Sequence, residues 1–250
     1  MPRLSLTLAA LAAAALAACA DQQDGAEAAA SQTETAGMNT LSAEDQAAGW
    51  RSLFNGEDFS GWRVYRGGAP AEPWRIEDGA MMLAGGGGGD IVTEEEFGPF
   101  ELELEWKVSP GGNSGIMYLV READDIDYPW RTGPEYQVLD DDVHADGQIP
   151  SHRSGALYDF AEPLEYAANP VGEWNRARIV FTGDRIEHWL NGVLVARSSY
   201  GDDAWRAAVA ETKFRDMPLF GTFDTGRIAL QDHGDPVWYR NIRIRPYPAD

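Results

Sequence analysis

Glu135 and Gln137 stand two residues apart in the run GPEYQVLD, residues 133–140. A Gly-Pro break precedes a stretch of strand character, so these two side chains share one face while Tyr136 and Val138 take the other. If Tyr136 and Val138 are buried, the carboxylate and amide opposite form either a solvated sheet face or a sugar-binding face holding an acid or a base. Glu105 and Lys107 repeat the arrangement on the polar side of FELELEWKV, residues 100–108, where with Glu101 and Glu103 they also read as one charged solvent face. In LQDHG, residues 230–234, Gln231 and His233 share a face opposite Asp232. Histidine suits proton transfer near neutral pH, and His233 could equally tie the turn at Gly234-Asp235-Pro236. Asn113 and Ser114 sit at a glycine turn that lets backbone approach a ligand. His144, in the polar connection DDDVHADGQIPSHRSG, can reach a groove rim. Asp140 to Asp142, and Asp124, Asp125 and Asp127, are oxygen-rich groups able to hold Ca²⁺. Neither has EF-hand spacing, so no cofactor is assigned and a divalent metal stays the one candidate. Trp130, Tyr158 and Trp174 are the aromatic faces chosen for sugar stacking. His188 alternates with Ile186 and Leu190 and reads as core.

Short strands with Gly, Pro, Asn and Asp punctuation must position these residues. The alternation Leu102, Leu104, Trp106, Val108 against Glu101, Glu103, Glu105, Lys107 has period two throughout. Further strands are expected at residues 114–120, 135–139, 176–182, 185–190, 193–197, 227–231 and 237–245. Asn191-Gly192 marks a type I′ hairpin. Only residues 203–211, DAWRAAVAE, look helical. Many strands at close spacing indicate an all-β fold, an antiparallel β-sandwich. The run of glycines at 85–89 lacks the Lys-Ser/Thr of a phosphate loop and precedes no helix, which argues against nucleotide binding.

The chain has 250 residues and a formal charge of −21, which disfavours nucleic acid, anionic membrane surfaces and phosphorylated or carboxylated ligands. A neutral ligand fits. Residues 1–18 read as a lipoprotein signal peptide, cut before the single cysteine, Cys19, which ends LAAC and is the expected lipidation site. The expected location is the cell envelope, anchored by that lipid and facing the periplasm or cell surface. Cysteine catalysis and disulfides are then excluded. Residues 19–46, poor in large apolar groups, read as a disordered linker, and residues 47–250 as the folded domain, beginning near Gly49-Trp50.

Eight blocks follow in order: SLFNGEDFSGW (52–62), WRIEDGAMML (74–83), FELELEWKVSPGGNSGIMY (100–118), GPEYQVLDD (133–141), SGALYD (154–159), GEWNRARI (172–179), HWLNGVLV (188–195) and IALQDHGDPVWYRNIRI (228–244). Together they resemble the 3-keto-disaccharide hydrolases, over nearly the whole chain after residue 49. The resemblance implies a concanavalin A-like lectin/glucanase jelly roll with ligands on the concave sheet. It also implies chemistry at a sugar oxidised at C3, whose C2 proton is acidified by the ketone. A base removes that proton, the C1 substituent leaves, and water adds to the enone, which needs a base, an enolate stabiliser and an acid. Under that implication the catalytic candidates are Glu135 as base or acid, Lys107 as the cation on the enolate oxygen, His233 and Glu105. Gln137, Asn113, Ser114, Asp140, His144, Trp130, Tyr158 and Trp174 become substrate contacts. The substrate is a neutral carbohydrate, and a separate glycoside 3-oxidoreductase must supply its keto form. Two other readings stand beside this one: a non-catalytic carbohydrate-binding lipoprotein, and a direct glycosidase pairing Glu135 with Glu105.

Overall fold

The residues FELELEWKV form the longest uninterrupted alternation in the chain, and they build the centre of the larger of two antiparallel sheets. The structure, a computed structural model, describes residues 37–247. In chain order it contains helix α1 (Ala43–Ala47), then β1 (Arg51–Ser52), β2 (Trp62–Val64), β3 (Trp74–Glu77), β4 (Ala80–Leu83), β5 (Ile91–Thr93), β6 (Phe100–Val108), β7 (Asn113–Val120), β8 (Glu135–Leu139), β9 (Asn175–Phe181), β10 (Arg185–Leu190), β11 (Val193–Ser199), helix α2 (Asp203–Ala210), β12 (Arg227–Leu230) and β13 (Val237–Pro246). The first sheet runs β11-β10-β9-β6-β13-β4-β3, with β1 added to β13. The second runs β2-β5-β12-β7-β8.

Burial drives the stacking of the two sheets. Leu102, Leu104, Trp106 and Val108 of β6 meet Ile116, Tyr118, Tyr136 and Val138 of the second sheet in a dry interior. The opposite face of β6 is not free solvent. Glu103 pairs with Arg176 of β9 and Arg243 of β13, each at 2.6 Å, and Glu105 pairs with Arg240 at 2.6 Å. Glu101 is bound by Arg178 and Arg245. Antiparallel register sets Arg240, Arg243 and Arg245 directly opposite Glu105, Glu103 and Glu101, so the ladder follows from strand alignment.

The expected strands are present with ends shifted by a residue or two, and the short strands β1–β5 are additions. Asp78 and Gly79, both at positive φ, make the tight β3–β4 hairpin, as Asn191 and Gly192 do between β10 and β11.

The expected linker needs correction at its end. Asn39 exchanges hydrogen bonds with Asn241, backbone N–H to side-chain Oδ1 in both directions at 2.7 and 2.8 Å. Ser42 and Asp45 then form a capping box that starts α1, and Asp45 reaches Arg243 at 3.0 Å. Residues 39–46 therefore belong to the fold, held by partners about 200 positions away that no local composition reveals. The signal peptide, Cys19 and the rest of that linker lie outside the described residues. No helix among the described residues is long and apolar enough to cross a membrane.

His188 is buried between the sheets as its alternation predicted. Its Nδ1–H donates to the Gly155 carbonyl at 3.0 Å, which leaves Nε2 as acceptor for the Tyr118 hydroxyl at 2.9 Å. Burial pushes its pKa down to about 4, so it stays neutral. Replacing Tyr118 by Phe strands that acceptor, and we expect a loss of ~1–3 kcal/mol in urea denaturation. An unchanged midpoint would mean that the hydroxyl bond contributes nothing.

Candidate active site

Strand β8 is clamped along both edges. On one side it pairs with β7, setting Gly115 opposite Gln137 and Met117 opposite Glu135. On the other, Gln137 exchanges backbone bonds with Gly155 and Ala156, and the Tyr158 N–H donates to the Glu135 carbonyl at 3.1 Å. Tyr136 and Val138 point into the interior, so Glu135 and Gln137 project from the outward face of the second sheet. They lie beneath a roof of connecting loops.

Gly115 decides where the Glu135 carboxyl can go. A Cβ built on Gly115 would overlap that carboxyl group, meeting its Cδ at 2.7 Å. The missing side chain is the space the acid occupies. The resulting cleft of about 250 Å³ is lined by Asn113, Trp130, Glu135, Gln137, Asp146, Tyr158, Lys213, Gln231 and His233. Gln137 donates to Asn113 Oδ1 at 3.2 Å, while its own Oε1 is buried with no hydrogen-bond partner. A buried acceptor of this kind has no protein donor and is satisfied by water or by a donor group on a ligand.

Burial raises the Glu135 pKa to about 8. The Lys213 ammonium opposes that rise, and the Asp90 and Asp146 carboxylates add to it. Asp90, half-buried just before β5, is pushed up to about 6, again chiefly by desolvation. Lys213 is placed by a short helical turn, residues 213–216, whose first N–H groups are held by Asp159 Oδ2 at 2.7 Å and Thr212 Oγ1 at 3.1 Å. Its ammonium lies 4.2 Å from the Tyr158 ring centre and 5.8 Å from that of Trp130. Behind Tyr158, His152 stacks on the phenol at 4.2 Å and bonds Asp159 at 3.1 Å, while the Tyr158 hydroxyl donates to Asp146 at 3.4 Å.

At the cleft mouth, His144, His233 and Asp235 bring one potential ligand atom each within 4.8 Å of one another. Two imidazoles and a carboxylate suit a transition metal better than Ca²⁺. His144 Nδ1 accepts the Asp146 N–H at 3.1 Å, so its neutral ring carries the proton on Nε2 and donates there. Asp235 takes the Asn113 N–H at 3.2 Å. The groups therefore have hydrogen-bonding duties of their own.

Glu135, Gln137, Asn113, Trp130, Tyr158 and His233 thus come together in one cleft, with His144 at its rim. Five other candidates lie elsewhere. Glu105 is the partner of Arg240 on the outward face of the first sheet. Lys107 lies on that same face between the rings of Trp174 and Trp238, at 5.0 and 4.5 Å, which also removes Trp174. Ser114 points inward: its hydroxyl donates to the Gln231 carbonyl and touches the Tyr239 hydroxyl, both at 2.7 Å. Neighbours on a strand cannot both face the cleft, and Asn113 is the one that does. Asp140 is buried as a staple for backbone N–H groups of Gly111, Asp142 and Val143 at 2.6–3.2 Å. Asp141 likewise accepts the Ser154 N–H at 2.8 Å, so this cluster caps a turn.

Lys213, Asp146 and Asp90 were not anticipated. One signal did exist, because the chain carries 20 basic residues and only Lys107 and Lys213 are lysines.

Residues 49–245 match the family model described as the 3-keto-alpha-glucoside-1,2-lyase-like domain. The chain belongs to that family. Within it, a relative from Bacteroides thetaiotaomicron named 3-keto-disaccharide hydrolase is 36% identical, over 68% of this chain and 69% of that one. A solved structure of a proposed glycosyl hydrolase from Parabacteroides distasonis ATCC 8503 superposes with a TM-score of 0.79 at 33% identity, covering 84% of this chain and all of the other. A second from the same organism gives 0.60 at 27% identity, over 79% and 99%. Both solved structures are similar in fold to this chain.

A carboxyl held above its ordinary pKa binds its proton more tightly in the folded chain than in the unfolded one. Its contribution to stability therefore falls as pH rises from about 4.5 to 8. Glu135→Gln should gain stability relative to the parent across that window, by on the order of 3–5 kcal/mol at its upper end. Parallel denaturation curves at pH 5 and pH 8 check this, and a pH-independent difference between the two proteins would refute it.

Proposed function

We propose that this chain cleaves 3-keto-glycosides by elimination followed by hydration, with Glu135 as the base. The observation that carries this reading is a buried carboxyl of raised pKa set beside an ammonium in a cleft with an unfilled acceptor. An acid–base group works best when its pKa is near the working pH, which burial arranges for Glu135. The ionised carboxylate takes the proton from C2 of the keto sugar. The C–H electron pair passes to the C2–C3 bond and the negative charge to the C3 oxygen, beside the Lys213 ammonium. Collapse of the enolate forms the C1–C2 double bond and breaks the C1–O bond. The departing oxygen takes a proton from His233, at the cleft mouth. Water then adds across that double bond, its oxygen to C1 and a proton to C2, so the net reaction is hydrolysis.

A ketone at C3 is a requirement of this chemistry, so an oxidoreductase acting on C3 must supply the substrate. The lipobox-like segment ending at Cys19 supports an envelope location for the step. The direct-glycosidase reading loses its partner acid, because Glu105 is bound to Arg240 on the other sheet. The lectin-like reading leaves the desolvation of Glu135 without a use.

The deciding experiment compares trehalose or sucrose with its 3-keto form, with mass detection of the unsaturated intermediate. We expect turnover of the keto form alone. Its rate should rise with pH through about 8 as Glu135 ionises, and Glu135→Gln should lower it roughly 10²–10⁴-fold. Lys213→Gln removes the charge that holds the Glu135 pKa down, so the pH limb should move upward while the maximal rate falls. Cleavage of unoxidised disaccharide, or full activity in Glu135→Gln, would exclude the mechanism.

A further inference from the structure

A second hollow of about 260 Å³ adjoins the Glu135 cleft and shares Trp130, Gln231 and His233 with it as a common wall. Its far side is formed by Tyr65, Asp90, Asp127 and Tyr128. Strand register makes the two hollows parts of one groove. Gln137 pairs with Gly115, the Gln231 N–H donates to the Gly115 carbonyl at 3.0 Å, and the pairing of Leu230 with Ile91 carries Gln231 on to Asp90. Gln137, Gly115, Gln231 and Asp90 therefore cross the sheet in one row, three strand spacings or about 14 Å from end to end.

Building on the proposed reading of Glu135, we propose that the second hollow seats the leaving group, and that it takes a neutral polyhydroxylated one, a second sugar ring. His233, on the shared wall, then stands where the glycosidic oxygen crosses between the hollows. Asp90 Oδ1 accepts the Asp232 N–H, which leaves Oδ2 to accept a hydroxyl of the incoming ring. Tyr128 lies stacked on Trp130, centroids 5.6 Å apart and planes 17° from parallel, with half of its surface exposed. That aromatic step suits the C–H face of a sugar. An aryl leaving group would cover Asp90 without giving it a hydrogen-bond donor, which is unfavourable. A phosphate or carboxylate would meet Asp90, Asp127 and Asp232 together in a chain of net charge −21.

The test measures kcat and KM for Asp90→Asn and Tyr128→Ala with two substrates, 3-keto-trehalose and methyl 3-keto-α-glucoside. The methoxy group is too small to occupy the second hollow. We expect each variant to lose about tenfold or more in kcat/KM on the disaccharide, mainly through KM. On the methyl glycoside Tyr128→Ala should stay within about threefold of the parent, while Asp90→Asn, which also takes a carboxylate away from Glu135, should shift the pH profile of both substrates alike and raise KM for the disaccharide alone. Equal losses on both substrates, or no loss on the disaccharide, would overturn the leaving-group site while leaving the Glu135 chemistry standing. A parent protein inert toward both keto substrates would overturn the two together. Thermal unfolding of each variant beside the parent separates a misfolded protein from a subsite defect, and Asp90→Glu, which keeps the acceptor, should recover part of the disaccharide KM if the carboxylate binds a hydroxyl.

Discussion

The arrangement turns on keeping one carboxyl group dry against the face of a sheet. Glu135 reaches that position because Gly115 leaves a gap on the neighbouring strand, and because backbone pairing on both edges of β8 denies it another direction. Desolvation then makes the acid reluctant to ionise. Lys213 counters part of the effect from across the cleft, which ties the working range of the acid to a residue 78 positions later in the chain. The hydrogen bonds around Asp159, His152, Tyr158 and Asp146 fix the turn that presents that ammonium. The fold accepts a local loss of stability at Glu135, and the large apolar interior between the sheets supplies the surplus that makes this tolerable.

The two outward faces of the sandwich use charge in opposite ways. On the first sheet, Glu101, Glu103 and Glu105 each meet arginines from adjacent strands, and Trp50, Trp174 and Trp238 cover the cations. Charges satisfied in this way have nothing left to offer a ligand. On the second sheet, Glu135 has an ammonium nearby but no ion pair within hydrogen-bonding reach, and Gln137 holds an empty acceptor. The proposed site thus sits where pairing is incomplete, and the paired ladder lies on the other sheet.

Much of this was legible in the sequence. Alternation alone located β6 and β8 and set Glu135 and Gln137 opposite the core. What alternation cannot state is which of two sheets a strand joins. Glu105–Lys107 and Glu135–Gln137 obey the same period-two rule and face outward, yet on opposite sides of the molecule. That one ambiguity accounts for Glu105, Lys107 and Trp174. Parity explains Ser114, which must face inward when Asn113 faces out. Asp140 differs for another reason: a carboxylate that staples its own turn looks, in one dimension, like one that waits for a ligand. Lys213 sits on a single helical turn within a long connection, where no periodicity points to it, although the scarcity of lysine in an arginine-rich chain was a usable sign. The early boundary at Asn39 depends on Asn241, and contacts of that range leave no trace in local composition.

The form of the chemistry follows from the same geometry. Displacement at C1 by a glycosidase calls for two carboxyl groups on opposite sides of the scissile bond, one ionised and one protonated. Here the second acid within the cleft, Asp146, is engaged by the Tyr158 hydroxyl and lies beside His152, so it is held against the wall. Glu135 faces an ammonium instead. A base opposite a cation is poorly arranged to stabilise a positive oxocarbenium ion, because Lys213 would repel it. It is well arranged to create and hold an anion, since the proton leaves toward the carboxylate as charge gathers beside the lysine. Under the proposed mechanism, such a site suits a sugar whose C–H bond has already been acidified. On the proposed reading, the sign of the charge at position 213 matches the need for an oxidised substrate.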